Sequence, residues 1–201
     1  LMSACLLPRV AVNEAYEKLC ATGVSASSGS VMHIAQNASR YHYDTDMERG
    51  MFLYEHRRCY DSIVDYCNAL CYQGKLVPRR GEKPQGGLPA LGYLHVDGIC
   101  QQQNGRSRMN RLEAETIAEW LVAHRSQLKA LYGQDLWKIV GVITPFGAQS
   151  QAIAEACDAR GIKTGKGDGE LTVGTVHSFQ GAARPVVIFS AVYSKHANGG
   201  F

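Results

Sequence analysis

The sequence predicts an α/β fold, with a doubly wound, mostly parallel sheet and helices on both of its faces. Apolar runs at 139–144, 171–175 and 185–192 alternate with helical patterns, and the order strand, helix, strand, helix, strand is typical of this class. The runs are continuously apolar, which is expected of parallel strands that are covered on both faces.

The composition is that of a chain that buries a core. Of the 201 residues, 45% are hydrophobic and 19% are charged, which excludes a disordered chain, and the net charge of +3 permits a nucleic-acid partner without requiring one. No window approaches the roughly 18 unbroken apolar residues of a membrane helix, and the first residues lack a basic, apolar secretory leader. We therefore expect a cytoplasmic protein without membrane contact.

Seven cysteines are scattered along the chain without a Cys-x-x-Cys pair, which predicts reduced thiols rather than disulfides. Cys67 and Cys71 share a predicted helical face near Cys59 and His56, so a zinc site is one interpretation. Cysteine also behaves as a small hydrophobic residue, and we favour buried thiols at these positions. No metal site is predicted.

The pattern divides the chain into two parts. Residues 1–50 are predicted to be a helical connecting segment, and 51–201 to be the α/β domain. Within the domain, the apolar stretches 51–54 and 92–96 are further strand candidates, whereas 97–109 is expected to be a loop.

Two helices of the domain have recognisable ends. Asp61 is expected to cap a helix that ends at Gly74. Asn110 with Glu113 three residues later forms a capping-box pattern at the start of the clearest helix. The apolar residues of that helix are expected to form one buried stripe: Leu112, Ile117, Trp120, Leu121, Leu128 and Leu131.

Polar residues follow two of the predicted strands, at the position where open parallel sheets bind ligands. The two segments are Thr144-Pro145-Phe146-Gly147 and Thr175-Val176-His177-Ser178-Phe179-Gln180-Gly181. Hydroxyl groups and free backbone N–H groups at a strand end suit phosphate oxygens, and Gly181 would let the backbone approach a phosphate closely. Taken alone, each segment also fits a strand-to-helix turn with internal hydrogen bonds.

Four segments in order resemble the motifs of one family. They are Glu55-His56-Arg57-Arg58-Cys59 with Ile63, Asn68, Tyr72 and Leu76 behind it, Ser107-Arg108-Met109-Asn110-Arg111-Leu112-Glu113-Ala114, Ile143-Thr144-Pro145-Phe146 with Gln149, and the run from Thr175 to Gly181 followed by Val186-Val187-Ile188-Phe189-Ser190. Together they span about 51–195. The chain resembles the second RecA-like domain, of the P-loop NTPase type, of superfamily-one helicases, in the branch that contains the nonsense-mediated-decay helicases and their bacterial relatives.

The resemblance implies roles for individual residues. ATP and Mg²⁺ would be held mainly by a preceding RecA-like domain, and Arg58 would be the catalytic arginine that reaches the γ-phosphate. Gln180 and Gly181 would lie on the nucleotide side. The residues expected to contact single-stranded nucleic acid are Thr144, Pro145, Thr175, His177 and Ser178.

The chain departs from the family pattern at two positions and lacks two motifs. Ala183 stands where the family usually carries a glutamate that helps to hold the nucleotide, and Pro185 stands where many members have an aspartate. No Gly-x-x-x-x-Gly-Lys-Ser/Thr phosphate-binding loop occurs, and the sixth motif is absent. We therefore expect a fragment whose partner is the protein's own first RecA-like domain, and which alone does not hydrolyse ATP.

The sequence-based hypothesis is the C-terminal motor domain of an ATP-dependent helicase. It would supply Arg58 to ATP hydrolysis and grip a single strand, for which we expect DNA rather than RNA on the family resemblance alone. The alternative is a degenerate helicase-like module that binds nucleic acid or protein without ATPase activity. Ala183 supports this alternative, because it stands in place of the glutamate that helps to hold the nucleotide.

Overall fold

The computed structural model describes residues 12–21, 30–42, 45, 49–103, 107–179 and 183–196. The chain divides into two compact units, the first comprising Leu1–Gln85 with Pro89–Leu91 and the second Gly86–Leu88 with Gly92–Phe201. The division at residue 50 stays a prediction. None of the helices in the described ranges is long and apolar enough to cross a membrane.

Among its described residues, the first unit has three α-helices and a small parallel strand pair. Its elements are α1 (Val12–Ala21), α2 (Val31–Ala38), β1 (Glu55–His56), α3 (Asp61–Cys67) and β2 (Val77–Pro78). β1 pairs in parallel with β2. The prediction of a strand at 51–54 is wrong, because the strand pairing begins only after Tyr54. The Tyr54 carbonyl accepts the first of these hydrogen bonds, from the Val77 N–H at 2.7 Å.

Helix α3 continues without a break into a π-helical turn, Asn68–Tyr72. Asp61 does not cap α3: Tyr60 holds the capping position, and the Asp61 carboxylate accepts from the Gly81 N–H at 2.9 Å. The helical run ends at Gln73, which adopts the left-handed conformation one residue before the expected Gly74.

The second unit contains the parallel sheet that was predicted, and the α/β fold class is confirmed. Its strands are β3 (Ile99–Gln103), β4 (Ser107–Met109), β5 (Val140–Ile143), β6 (Thr172–Gly174), β7 (Val186–Phe189) and β8 (Lys195–His196). Its helices are α4 (Arg111–Tyr132), α5 (Leu136–Ile139), α6 (Gly147–Asp158) and a 3₁₀ turn, Val176–Phe179. One sheet has the order β6-β5-β7, all parallel, and the other has the order β4-β3-β8.

The prediction for 92–109 is wrong in two respects. Residues 92–96 form no strand, and Tyr93 in this stretch is 88% exposed. Part of the expected loop at 97–109 is instead the antiparallel pair of β3 and β4. The physical reason is that β3 ends in three glutamines, Gln101 to Gln103, so an apolar pattern does not mark it.

The core of the second unit lies between one face of the sheet and the helices α4 and α6. Val140 and Val142 of β5 point into it and are fully buried. From the helices it receives Ala114, Ile117, Ala118, Leu121, Leu128, Ile153 and Cys157. Burial raises the pKa of the Cys157 thiol to about 11, as expected for a cysteine packed as a hydrophobic residue. Leu112 and Leu131 were expected in this stripe but are about half exposed.

A buried amide joins the start of α4 to the start of α6. The Gln149 side chain accepts from the Asn110 N–H at 2.7 Å, donates to the Asn110 carbonyl at 3.2 Å and donates to the Ser190 hydroxyl at 3.1 Å. Gln149 is fully buried. Its amide therefore satisfies backbone groups that water cannot reach, directly beside the C-terminal end of β7.

The capping residues of α4 act partly as predicted. The Asn110 side chain accepts from the Glu113 N–H at 3.2 Å, as an N-cap does. The Glu113 carboxylate does not return to the cap. It accepts from the Ser190 hydroxyl at 2.9 Å and from the Val192 N–H at 3.1 Å, so α4 also fixes the chain that follows β7.

Two glycines allow the turn after β6 to lie close to the sheet. A Cβ at Gly141 would meet the Phe179 ring, with ring atom Cζ 3.1 Å away, and the Arg184 side chain at 3.3 Å. A Cβ at Gly174 would lie 2.7 Å from the Ser178 hydroxyl and 2.8 Å from its Cβ. The 3₁₀ turn therefore packs against the strands at the two positions, Gly141 and Gly174, that have no side chain.

We expect Gln149→Leu to lower the free energy of unfolding by about 1–3 kcal/mol, because the buried Asn110 N–H would lose the side-chain oxygen that accepts from it. Denaturant unfolding measures this loss. The matched control is Gln151→Leu on the same helix, whose amide makes only an exposed bond to Glu155, and it should change stability by less than about 0.5 kcal/mol. Equal losses in the two variants would contradict the assignment.

We expect Gly174→Ala to destabilise the protein by about 1–3 kcal/mol, because the new methyl group collides with Ser178 and the 3₁₀ turn must shift. The companion change Ser178→Gly removes both colliding atoms. The double variant should therefore be less destabilised than the sum of the two single changes, as a thermal or denaturant double-mutant cycle would show. Simple additivity would argue against the contact.

Candidate nucleic-acid and nucleotide site

The polar segments identified in the sequence meet at one edge of the sheet. Because β5, β6 and β7 are parallel, their C-terminal ends lie together, and Thr144, Thr175 and Ser190 follow these ends. The Thr144 N–H donates to the Gly174 carbonyl at 3.0 Å, and the Ser190 N–H donates to the Ile143 carbonyl at 2.8 Å. Three segments that are distant in sequence are thus neighbours.

The predicted nucleic-acid residues differ in how accessible they are. Pro145 and His177 are exposed, and Thr175 and Ser178 are half-buried. Thr144 has no exposed surface, and its hydroxyl has no hydrogen-bond partner among the described residues. A direct contact between Thr144 and a nucleic-acid strand does not agree with this position, because the side chain points into the unit.

The predicted nucleotide-side residues Gln180 and Gly181 lie outside the described residues. The residue before them is described: the Phe179 ring packs on Gly141 of β5. This packing holds the end of the 3₁₀ turn against the sheet. The roles of Gln180 and Gly181 stay predictions.

An aromatic and cationic cluster that the sequence did not reveal lies at the same edge. The Arg108 guanidinium carbon lies 5.4 Å from the centre of the Tyr193 ring, and the Phe146 and Tyr193 rings meet edge to face with centres 5.5 Å apart. Arg108 lies in the stretch 97–109, which was expected to be a loop, and no aromatic residue is near it in the sequence. Arg108 lies on β4, Phe146 follows β5 and Tyr193 follows β7, so these side chains meet only in the folded unit.

This cluster is held by backbone anchors. The Ser107 hydroxyl accepts from the Ala148 N–H at 2.9 Å, which fixes β4 to the start of α6. Val192 is buried in the left-handed conformation with φ of 70°, and the Ser194 hydroxyl donates to the Gly98 carbonyl at 2.6 Å. Tyr193 therefore stands between two fixed residues.

The arginines of the first unit differ in their partners. The Glu55 carboxylate binds Arg57 at 2.6 Å and Arg79 at 3.0 Å, and these two hydrogen bonds hold its pKa below the ordinary value. The Arg80 guanidinium lies 4.0 Å from the centre of the Tyr60 ring and donates to the Arg58 carbonyl.

The Arg58 side chain is exposed, and within the described ranges no carboxylate binds its guanidinium. The neighbouring Arg57, in contrast, is already paired with Glu55.

The zinc interpretation finds little support in the described part of the chain. No group of three or more histidine, cysteine or acidic residues there could hold a metal ion. Burial raises the pKa of Cys59, with a smaller contribution from Cys67, which disfavours the thiolate that zinc requires.

Comparison with known proteins places the chain in a family. The model of a family described as "AAA domain" matches residues 32–201. A zebrafish (Danio rerio) protein named "Probable helicase with zinc finger domain" is 25% identical over 156 residues, which cover 77% of this chain and 8% of that protein. Another zebrafish protein, "Putative helicase mov-10-B.1", is 28% identical over 155 residues, which cover 71% of this chain and 15% of that protein.

These matches agree with the motif order and with the parallel sheet. The chain spans only a small part of the length of either relative. The family model, in contrast, covers most of this chain, including the strand ends that carry the two threonines. The chain belongs to the AAA domain family and is a superfamily-one helicase-like domain.

Proposed function

We propose that this domain is the second motor domain of an ATP-dependent nucleic-acid helicase. The observation that carries the proposal is the meeting of the two threonine-bearing strand ends at one edge of a parallel sheet, in a chain with helicase relatives. In a longer protein it would work with a RecA-like domain that carries the phosphate-binding loop. Opening and closing of the two domains would move the strand.

The role proposed for Arg58, to contact the γ-phosphate of ATP, rests on its exposed guanidinium. ATP, when bound, supplies the phosphoryl group whose transfer to water spreads negative charge over the γ-phosphate oxygens. An exposed guanidinium that no carboxylate of the described residues binds fits such a group, whereas Arg57 and Arg79 are already bound to Glu55. Gln180 and Gly181 are proposed to lie beside the nucleotide, and Ala183 offers no carboxylate there.

The proposed grip on a single strand involves Pro145, Thr175, His177 and Ser178. Pro145 and His177 are exposed and the two hydroxyl residues are half-buried, so a strand could run along this edge of the sheet. Hydroxyl and backbone groups would bind phosphate and sugar atoms, which holds a strand without reading its sequence. Thr144 would act through its backbone, since its N–H fixes the neighbouring strand end.

We expect the 201-residue chain to bind a single-stranded oligonucleotide in preference to a duplex of the same length. The affinity should fall with salt, with a slope of log K against log salt of about −0.7 for each phosphate neutralised. Fluorescence anisotropy at several salt concentrations, with DNA and RNA strands of one sequence, measures both the slope and the substrate preference. An absence of binding at low salt would overturn the proposed grip.

We expect Arg58→Ala to lower the ATPase rate by about 10³-fold or more in a protein that joins this domain to one with a phosphate-binding loop. The matched control is Arg57→Ala, which should change the rate little because Arg57 is occupied by Glu55. Steady-state phosphate release measures both. Similar losses in the two variants would contradict the assignment to Arg58.

The competing function is a helicase-like module that binds nucleic acid without hydrolysis. Ala183, at the position where the family places a nucleotide-holding glutamate, favours it. The same assay separates the two functions, since the module would bind a strand while the joined protein released no phosphate in the presence of that strand.

A further inference from the structure

The grip described above involves only phosphate and sugar atoms, but aromatic surface lies at the same edge of the sheet. Tyr193 is 49% exposed although Arg108 and Phe146 both contact its ring. Tyrosine presents a flat π-surface on which any nucleobase can stack, and such stacking does not depend on base identity. About half of the residue is thus open to solvent, and this is the surface at which a base could reach it.

We propose that Tyr193, supported by Phe146 and Arg108, is a stacking platform for a base of the bound single strand. This inference rests on the proposed function, because it assigns base contacts to a strand held at the same edge. Arg108 would place positive charge next to the phosphate that follows the stacked base, and no carboxylate neutralises it among the described residues.

The backbone around Tyr193 supports the platform independently of the ring contacts. Val192 is a buried β-branched residue in the left-handed conformation, which costs about 1–3 kcal/mol and persists only where the surroundings enforce it. The Glu113 carboxylate enforces it by accepting the Val192 N–H at 3.1 Å. On the other side, Ser194 is bonded to both Gly98 and Asn110. The ring thus starts from a fixed position, so binding orders little further chain.

The contacts with Phe146 and Arg108 fix the orientation of the Tyr193 ring. Phe146 meets it edge to face and directly follows Pro145, the exposed residue of the proposed grip. Arg108 lies on β4, which Ser107 attaches to the start of α6. A strand that runs past Pro145 would therefore reach Tyr193 within the same unit.

The test compares a single-stranded oligonucleotide with a strand of the same length and charge made of abasic sugar-phosphate units. We expect the chain to bind the base-containing strand about 5- to 150-fold more tightly at the same salt concentration. Tyr193→Leu, which keeps apolar contact with Phe146 but has no π-surface, should remove most of this difference and leave abasic binding unchanged. Tyr193→Phe should retain it.

The matched control is Tyr93→Leu, which removes an exposed tyrosine elsewhere in the same unit and should leave the difference intact. Thermal unfolding checks that each variant is folded. If the unaltered chain binds both strands equally, the platform is overturned while the phosphate grip stands. If it binds neither strand, the proposed function itself fails, and the platform with it. If Tyr193→Leu binds the base-containing and the abasic strand equally more weakly, the ring has a structural role only, and the stacking platform is overturned.

Discussion

The second unit depends on one buried amide. Gln149 bonds both backbone groups of Asn110 and the Ser190 hydroxyl, and through these contacts the starts of α4 and α6 and the end of β7 share a single hydrogen-bond network. Glu113 extends the network to Val192. Buried polar groups of this kind stabilise a fold only when all of them are satisfied, so the network also specifies one arrangement of the sheet edge.

That constraint explains why the candidate site is built as it is. The strand ends supply the threonines, and the network beneath them fixes the residues that follow β7. The turn after β6 is fixed differently, by Phe179 and Ser178 packing where Gly141 and Gly174 have no side chain. One edge thus combines hydrogen-bonded and purely steric anchoring. The arginines of the first unit show a comparable division, since Glu55 occupies Arg57 and Arg79 and leaves Arg58 exposed.

The sequence predicted the parts of the fold that depend on local pattern. The strands near 139–144, 171–175 and 185–192 and the cap at Asn110 were found because apolar runs and capping residues have local causes. It failed where pairing is decided by the partner: β3 is polar and was missed, and 92–96 is apolar but unpaired. Tyr193 was missed for the same reason, because its contacts with Arg108 and Phe146 exist only after the sheets assemble. The burial of Thr144 likewise depends on neighbours that a motif does not contain.

The contact between Phe179 and Gly141 has a consequence for how this sequence can change. The phenyl ring occupies the place that a Cβ at position 141 would need, and the Arg184 Cγ would lie 3.3 Å from the same Cβ. Positions 141 and 179 therefore cannot vary independently while the backbone is kept. An alanine in the central strand becomes tolerable only if a smaller residue replaces the phenylalanine, and that exchange would release the chain that leads to residue 180. In related proteins, substitutions at these two positions should occur as a pair.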